Sequence, residues 1–199
     1  MLKNPIPKVT NRLQNRAIGI IYGKFISNNS KTLNRGFLND NKGERIETVV
    51  LGKALSLLKK HIDLNKSYYW IVYPKNKNSQ NLHLQIAGVW HPYQLNDFPN
   101  DSSKTNFSTL LEELDLKDNY FSVRGDLVYV NTQKKEVVIK IRFAPEPNNL
   151  KNRNFKLVLK ADLSLELLNS FLSLDVNRDG NSLKLLNYEV IEKNLSKNN

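Results

Sequence analysis

Ala17-Ile-Gly-Ile-Ile-Tyr-Gly-Lys-Phe-Ile26 is dense in β-branched and aromatic residues and reads as a strand. Its glycines, Gly19 and Gly23, predict a bulge or a sharp coil within it. Working downstream, the polar Ser27-Asn-Asn-Ser-Lys-Thr-Leu-Asn34 reads as a loop. Short strands follow at Arg35–Leu38 and, past the turn Asn39-Asp-Asn-Lys-Gly43, at Arg45–Leu51. Gly52 breaks that strand. Lys53–Asp63 then sets Ala54, Leu55, Leu58 and Ile62 at helical spacing, with lysines on the other face. Tyr68–Tyr73 is a strand and Pro74–Asn81 a polar loop. In the strand Leu82–Trp90, the apolar Leu82, Leu84 and Ile86 alternate with His83 and Gln85.

Three strands, a helix and two more strands make the element order of an OB-fold barrel. The second half starts again in the same way. Ile21-Tyr-Gly-Lys-Phe25 lies over Val123-Arg-Gly-Asp-Leu127 at an offset of 102 residues, and Trp70-Ile-Val72 over Leu172-Ser-Leu174 at the same offset. Leu82-His-Leu84 falls over Leu183-Lys-Leu185 at 101, the near-constant spacing that a tandem repeat produces. Strands are expected at 120–130, 136–144, 155–161 and 171–176, with at most a short helix at Ser164–Asn169. The expected fold class is therefore mostly β: two tandem OB-fold-like five-stranded barrels, the first with a helix between strands three and four. The segments are a basic arm (1–16), a basic barrel (17–93), an acidic linker (94–119), a neutral barrel (120–193) and a tail (194–199). A capping box at Thr109-Leu-Leu-Glu112 opens a short helix in the linker.

The stretches RAIGIIYGKF, NRGFLNDNKGERIETVVLGKALSLLKKHIDL, LHLQIAGVW and YFSVRGDLVYV resemble a cyanobacterial protein family of tandem OB-like barrels. The resemblance runs from Arg16 through most of the chain. It implies a lineage and carries no mechanism.

Of 199 residues 40% are hydrophobic, enough for real cores and too many for a disordered chain. With no Cys there is no disulfide framework, thiolate zinc site or Cys nucleophile. No apolar run approaches the ~18 residues of a membrane span, and the N-terminal stretch reads as a basic arm rather than a secretory signal. The expected location is the cytoplasm, with no membrane partner. The net charge of +11 is one-sided: residues 1–95 carry 15 Lys+Arg against 4 Asp+Glu, whereas residues 96–199 carry 15 of each. One-sided charge points to a polyanionic partner for the first half. The 28 Asn suggest an AT-rich gene, which would also inflate Lys, but that bias leaves the uneven acids unexplained.

Catalytic signatures are missing. His61, His83 and His91 form no close metal-binding pair, and neither HExxH, GxSxG nor a nucleotide fingerprint occurs. Asp175-Val-Asn-Arg-Asp-Gly180 starts like a calcium loop, but its twelfth position is Leu186 where a bidentate Glu belongs. An Asp-Gly hairpin accounts for it better. The expectation is a protein without catalytic residues, cofactor or metal.

Single-strand binders combine cations that track the backbone with aromatic faces for the bases. In an OB barrel these lie on strands two and three and on the flanking loops. The candidates here are Lys24, Lys31, Arg35, Lys75 and Lys77, assisted by Lys8, Arg12 and Arg16 of the arm, with Tyr22, Phe37 and Tyr73 as stacking faces. Matching Trp70 and Val72 to Leu172 and Leu174 makes the first pair core and leaves Tyr69 and Tyr73 nearer the surface. The expected function is non-catalytic binding of single-stranded DNA or RNA through the first barrel. The second barrel is assigned to a protein partner. An assembly or scaffold protein is the alternative. The acidic linker, folded back, would compete with ligand.

Overall fold

The computed structural model describes residues 4–29, 32–77, 81–90, 107–143 and 153–193. The first barrel comprises β1 (Arg16–Asn29), β2 (Thr32–Asp40), β3 (Arg45–Val50), α1 (Gly52–His61), β4 (Tyr68–Lys77) and β5 (Asn81–Val89). Its strands follow the order β2-β3-β5-β4-β1, and β1 closes the ring by pairing back to β2. One strand serves two ladders because it bends. Gly19–Gly23 pair with Val72–Tyr68 of β4, and Gly23 onward pairs with β2, starting at Asp40. Gly23 is the shared residue. A Cβ there would run into the Asn39 carbonyl, so the coil predicted from its glycines depends on a missing side chain.

Ile21, Phe25, Leu38, Ile46, Trp70, Val72, Leu84 and Ile86 fill the barrel, and Ile20, opposite Ile71, is buried on the other face of β1. Each large side chain removed from water contributes roughly 1.5–3 kcal/mol. Trp70 and Val72 are core, whereas Tyr69 and Ile71 are half-buried and Tyr73 is exposed. The single polar atom of Trp70 is satisfied, its Nε1–H donating to the Gly23 carbonyl at 2.8 Å. α1 buries Ala54 and Leu58, and its last turn carries Lys59, Lys60 and His61, where the helix dipole favours cations.

The second barrel comprises β6 (Tyr120–Asn131), β7 (Glu136–Arg142), β8 (Asn154–Lys160), β9 (Phe171–Asp179) and β10 (Ser182–Glu192). Their order is β6-β7-β8-β10-β9, closed by β6–β9, with β8 and β10 parallel at Lys160–Lys184. A 3-10 turn, Leu165–Leu167, precedes β9, its start capped by the Ser164 hydroxyl accepting from the Glu166 N–H at 3.2 Å. The β9–β10 turn is made by Gly180 and Asn181, between the paired Asp179 and Ser182, and Gly180 has a φ of 57°.

Strand lengths differ from the sequence reading. Ser27–Asn29 and Thr32–Asn34 extend β1 and β2, so six positions of the expected eight-residue loop are strand, and residues 30–31 lie outside the described set. Pro74–Lys77 likewise belong to β4. Backbone pairing needs no apolar side chains, and polar hairpin ends therefore look like loops in a sequence. In the segment read as a linker, α2 (Phe107–Glu113) precedes β6, and Leu111 and Leu116 are buried.

The described residues fall into two units. The first is built on Gly19–Val72 with the stretch from Gln85 to Tyr120, and the second on the chain from Phe121 together with Val9–Ile18 and Tyr73–Leu84. Among the described residues, no helix is long and apolar enough to cross a membrane.

Candidate nucleic-acid interface

The site begins with the turn after β2. Asp40 is buried, and its Oδ1 accepts from the Lys42 and Glu44 N–H groups at 2.9 Å each. The Asp40 N–H donates to the Glu44 carbonyl, and Gly43 takes a φ of 80°. A turn closed this tightly fixes the register of the hairpin, setting Asn39 opposite Arg45, Phe37 opposite Glu47 and Arg35 opposite Val49. Across β1, Lys24 pairs with Asn39 and Ile26 with Phe37.

Alternation turns Phe25, Leu38 and Ile46 into the core, so Lys24, Ile26, Arg35, Phe37, Asn39, Arg45 and Glu47 share the outer face. One row reads Lys24–Asn39–Arg45 and the next Ile26–Phe37–Glu47. Phe37 is half-buried, Ile26 is 37% exposed, and Arg35, Arg45 and Glu47 stand in solvent. Directly opposed side chains lie about 5 Å apart at Cβ, so Phe37 has cations within reach in the rows on both sides. Arg45 and Ile26 were absent from the sequence-derived set. The short Asn39–Gly43 turn was the signal that could have found Arg45, since it returns the chain opposite Asn39.

The other candidates lie elsewhere. Tyr22 packs its ring on Tyr69, with centroids 4.8 Å apart, and Tyr69 meets Trp90 edge-on at 5.9 Å. The Tyr22 N–H donates to Asp118 Oδ1 at 2.7 Å. Burial, then the neighbouring Asp118 and Tyr22, push the Tyr69 phenol above its usual range. Tyr22 is thus covered on one side by another ring and by the chain that leads into β6. Lys31 lies outside the described residues, as does the first half of the acidic segment. Lys77 is the last residue of β4.

Lys75 and the arm from Val9 onward belong to the second unit, whereas Lys8 falls in the first. The Lys75 ammonium sits 3.0 Å from the centroid of Phe155 and 4.7 Å from that of Phe143. Next to it, Asn76 Oδ1 accepts from the Val158 N–H at 2.8 Å. Arg12 donates to the Ile191 carbonyl at 2.7 Å and Arg16 Nε to the Ser122 hydroxyl at 3.0 Å. Arg124, buried, donates from Nε and Nη2 to the carbonyls of Gln14 and Arg12. These bonds fasten the arm at Arg12, Gln14 and Arg16, while Lys8 stands exposed.

Burial pushes the Lys75 ammonium down to about 8, while the phenyl faces pull the other way. Its folded pKa lies below the ordinary 10.5, so between these values the unfolded chain binds more protons. Stability from this group should therefore rise with pH from about 8 toward 10.5. Urea denaturation at pH 7.5 and 9.5 should show that rise in the native chain and not in Lys75→Met. An equal pH response in both would refute it.

The sequence matches two family models. One is described as the N-terminal OB-fold domain of the PatR RNA-binding protein, over residues 17–97, and the other as the C-terminal cyanobacterial OB-fold-like RNA-binding domain, over residues 123–192. No curated protein matches the chain.

Proposed function

The chain belongs to a cyanobacterial family of tandem OB-fold proteins, and from that premise we propose that it binds single-stranded nucleic acid, RNA foremost, without catalysing a reaction. The observation that carries the reading is the outer face of β1, β2 and β3, where Lys24, Arg35 and Arg45 surround Phe37. These are the strands on which OB folds hold oligonucleotides. A base stacks on the Phe37 ring, the three cations hold the phosphates on either side, and Asn39 offers both a donor and an acceptor to a base edge or a ribose hydroxyl. Lys31, one residue before β2, joins this set by its place in the sequence. The half-buried Tyr22 and the fastened Arg12 and Arg16 make weaker contacts than their sequence positions suggest, and Lys75 lies with the second unit.

Preference for RNA rests on the RNA-binding character of both matched families. That character also favours RNA over a protein partner for the second barrel. A cytoplasmic location fits this reading. Fluorescence anisotropy with single-stranded RNA and DNA oligomers tests it. Three phosphate contacts predict that log K falls with log salt at a slope of about −2, from ~0.7 per contact on a single strand. Absent binding, or binding indifferent to salt, refutes the proposal.

A further inference from the structure

The second barrel carries outward rows built on the same plan as the first. Register sets Asp126–Lys140–Lys156 across β6, β7 and β8, then Tyr129–Val138–Val158, then Asn131–Glu136–Lys160. In the topologically equivalent strands of the first barrel stand Lys24–Asn39–Arg45 and Ile26–Phe37–Glu47. The middle rows therefore hold the same two kinds of side chain in exchanged places. The first has an aliphatic residue on its first strand and an aromatic on its second, whereas the second has Tyr129 on its first strand and Val138 on its second. Tyr129 is 51% exposed, and its hydroxyl accepts from Asn131 Nδ2 at 3.3 Å, which steadies the ring without covering it.

The charges around Tyr129 point the same way. Lys160 is bound to Glu136, Lys135 to Asp162 at 3.1 Å, and Arg142 to Asp126 at 2.7 Å. Lys140 and Lys156 instead stand directly opposite one another. Like charges in that relation repel across a strand pair. Asp126, the other cross-strand neighbour of Lys140, is held by Arg142. A phosphate between the two ammonium groups converts that repulsion into two charge-assisted hydrogen bonds. On the far side of β8, the Val158 N–H donates to Asn76 Oδ1 at 2.8 Å and Lys160 pairs with Lys184 of β10.

We propose that this face is a second single-stranded RNA site, with Tyr129 as its stacking platform and Lys140 and Lys156 as its phosphate contacts. The proposal rests on the reading that the chain binds RNA. It adds a second grip whose aromatic comes from β6 rather than from the strand equivalent to β2.

The test uses the full chain and a fluorescent poly(U) oligomer of about 20 nucleotides, longer than the ~4–16 that one OB fold covers. Tyr129→Ala should weaken binding about five- to tenfold, whereas Tyr129→Phe, which keeps the ring, should not. Lys140→Gln with Lys156→Gln should flatten the salt slope by about 1.4. The same changes added to a chain already carrying Phe37→Ala, Arg35→Gln and Arg45→Gln should remove its residual affinity. Binding that responds to the first-barrel substitutions alone overturns this proposal and leaves the first-barrel site standing. Response to the second-barrel substitutions alone supports it and removes the first-barrel site. A native chain that binds no oligomer overturns both.

Discussion

Replacing Phe37 by Ala together with Arg35 and Arg45 by Gln should lower affinity for a short single-stranded RNA by two orders of magnitude or more. A base stacked on an aromatic side chain contributes about 1–3 kcal/mol, so the ring alone accounts for roughly a five- to 150-fold loss. Each arginine removed should take about 0.7 from the salt slope, and the loss from this source should be largest at low ionic strength. Phe37 is only half-buried, with its Cα partners Ile26 and Glu47 on the outer face, so its loss opens no core cavity. Phe37→Trp should preserve or strengthen binding. Lys59→Gln with Lys60→Gln makes a charge-matched control, because both lysines are exposed in the last turn of α1. If that control weakens binding as much as the triple substitution does, net charge and not the β2 face attracts the polyanion.

The faces of the strands were legible in the sequence, but their partners were not. Alternation separated Trp70 and Val72 from Tyr69 and Tyr73, because a period of two follows from the pleat, and the match to Leu172 and Leu174 chose the first pair as core, where both are buried. That Arg45 stands opposite Asn39 depends on the turn at Asp40, whose buried carboxylate fixes where the chain reverses. Tyr22 illustrates the converse. It alternates outward as expected, yet Tyr69 and Asp118 cover it, and Asp118 is 96 residues away in the chain. Lys75 and Asn76 sit in a segment that reads as a solvated basic loop, while their partners Phe143, Phe155 and Val158 come from β7's end and β8. The arm reads as free because its basic residues precede any strand. Its acceptors, at Ser122 and Ile191, lie more than a hundred residues downstream. Contacts of that separation leave no local pattern. The glycines did leave one, since Gly23 and Gly125 fall at the offset of 102 that aligned the two halves.

Those two glycines carry a large expected effect on stability. Gly23→Ala should destabilise the first barrel by about 3 kcal/mol, and Gly125→Ala the second by a similar amount. At Gly23 the added methyl meets the Asn39 carbonyl, and at Gly125 it meets the Lys140 carbonyl and the Ile139 side chain. The obstacle in both cases is mainly backbone held in a ladder, so relief requires the paired strands to move apart. At Gly23 that movement has a second cost. Its carbonyl accepts from Trp70 Nε1–H, and Trp70 is completely buried, so a displaced carbonyl leaves a donor without water or partner. A buried donor left in that state costs about 1–3 kcal/mol. The total is a large share of the ~5–15 kcal/mol that holds a typical domain together. Gly88→Ala is the reference, because a Cβ there meets nothing within 4 Å. It should change stability little or raise it slightly, by narrowing the unfolded ensemble. Both tryptophans, Trp70 and Trp90, lie in the first unit, so tryptophan fluorescence during urea unfolding follows Gly23→Ala directly. Far-UV circular dichroism serves for Gly125→Ala. If either substitution proves as mild as Gly88→Ala, the bend in β1 or β6 does not depend on close approach of the next strand. The equivalence of Gly23 and Gly125 would then be one of sequence position without a shared physical cause.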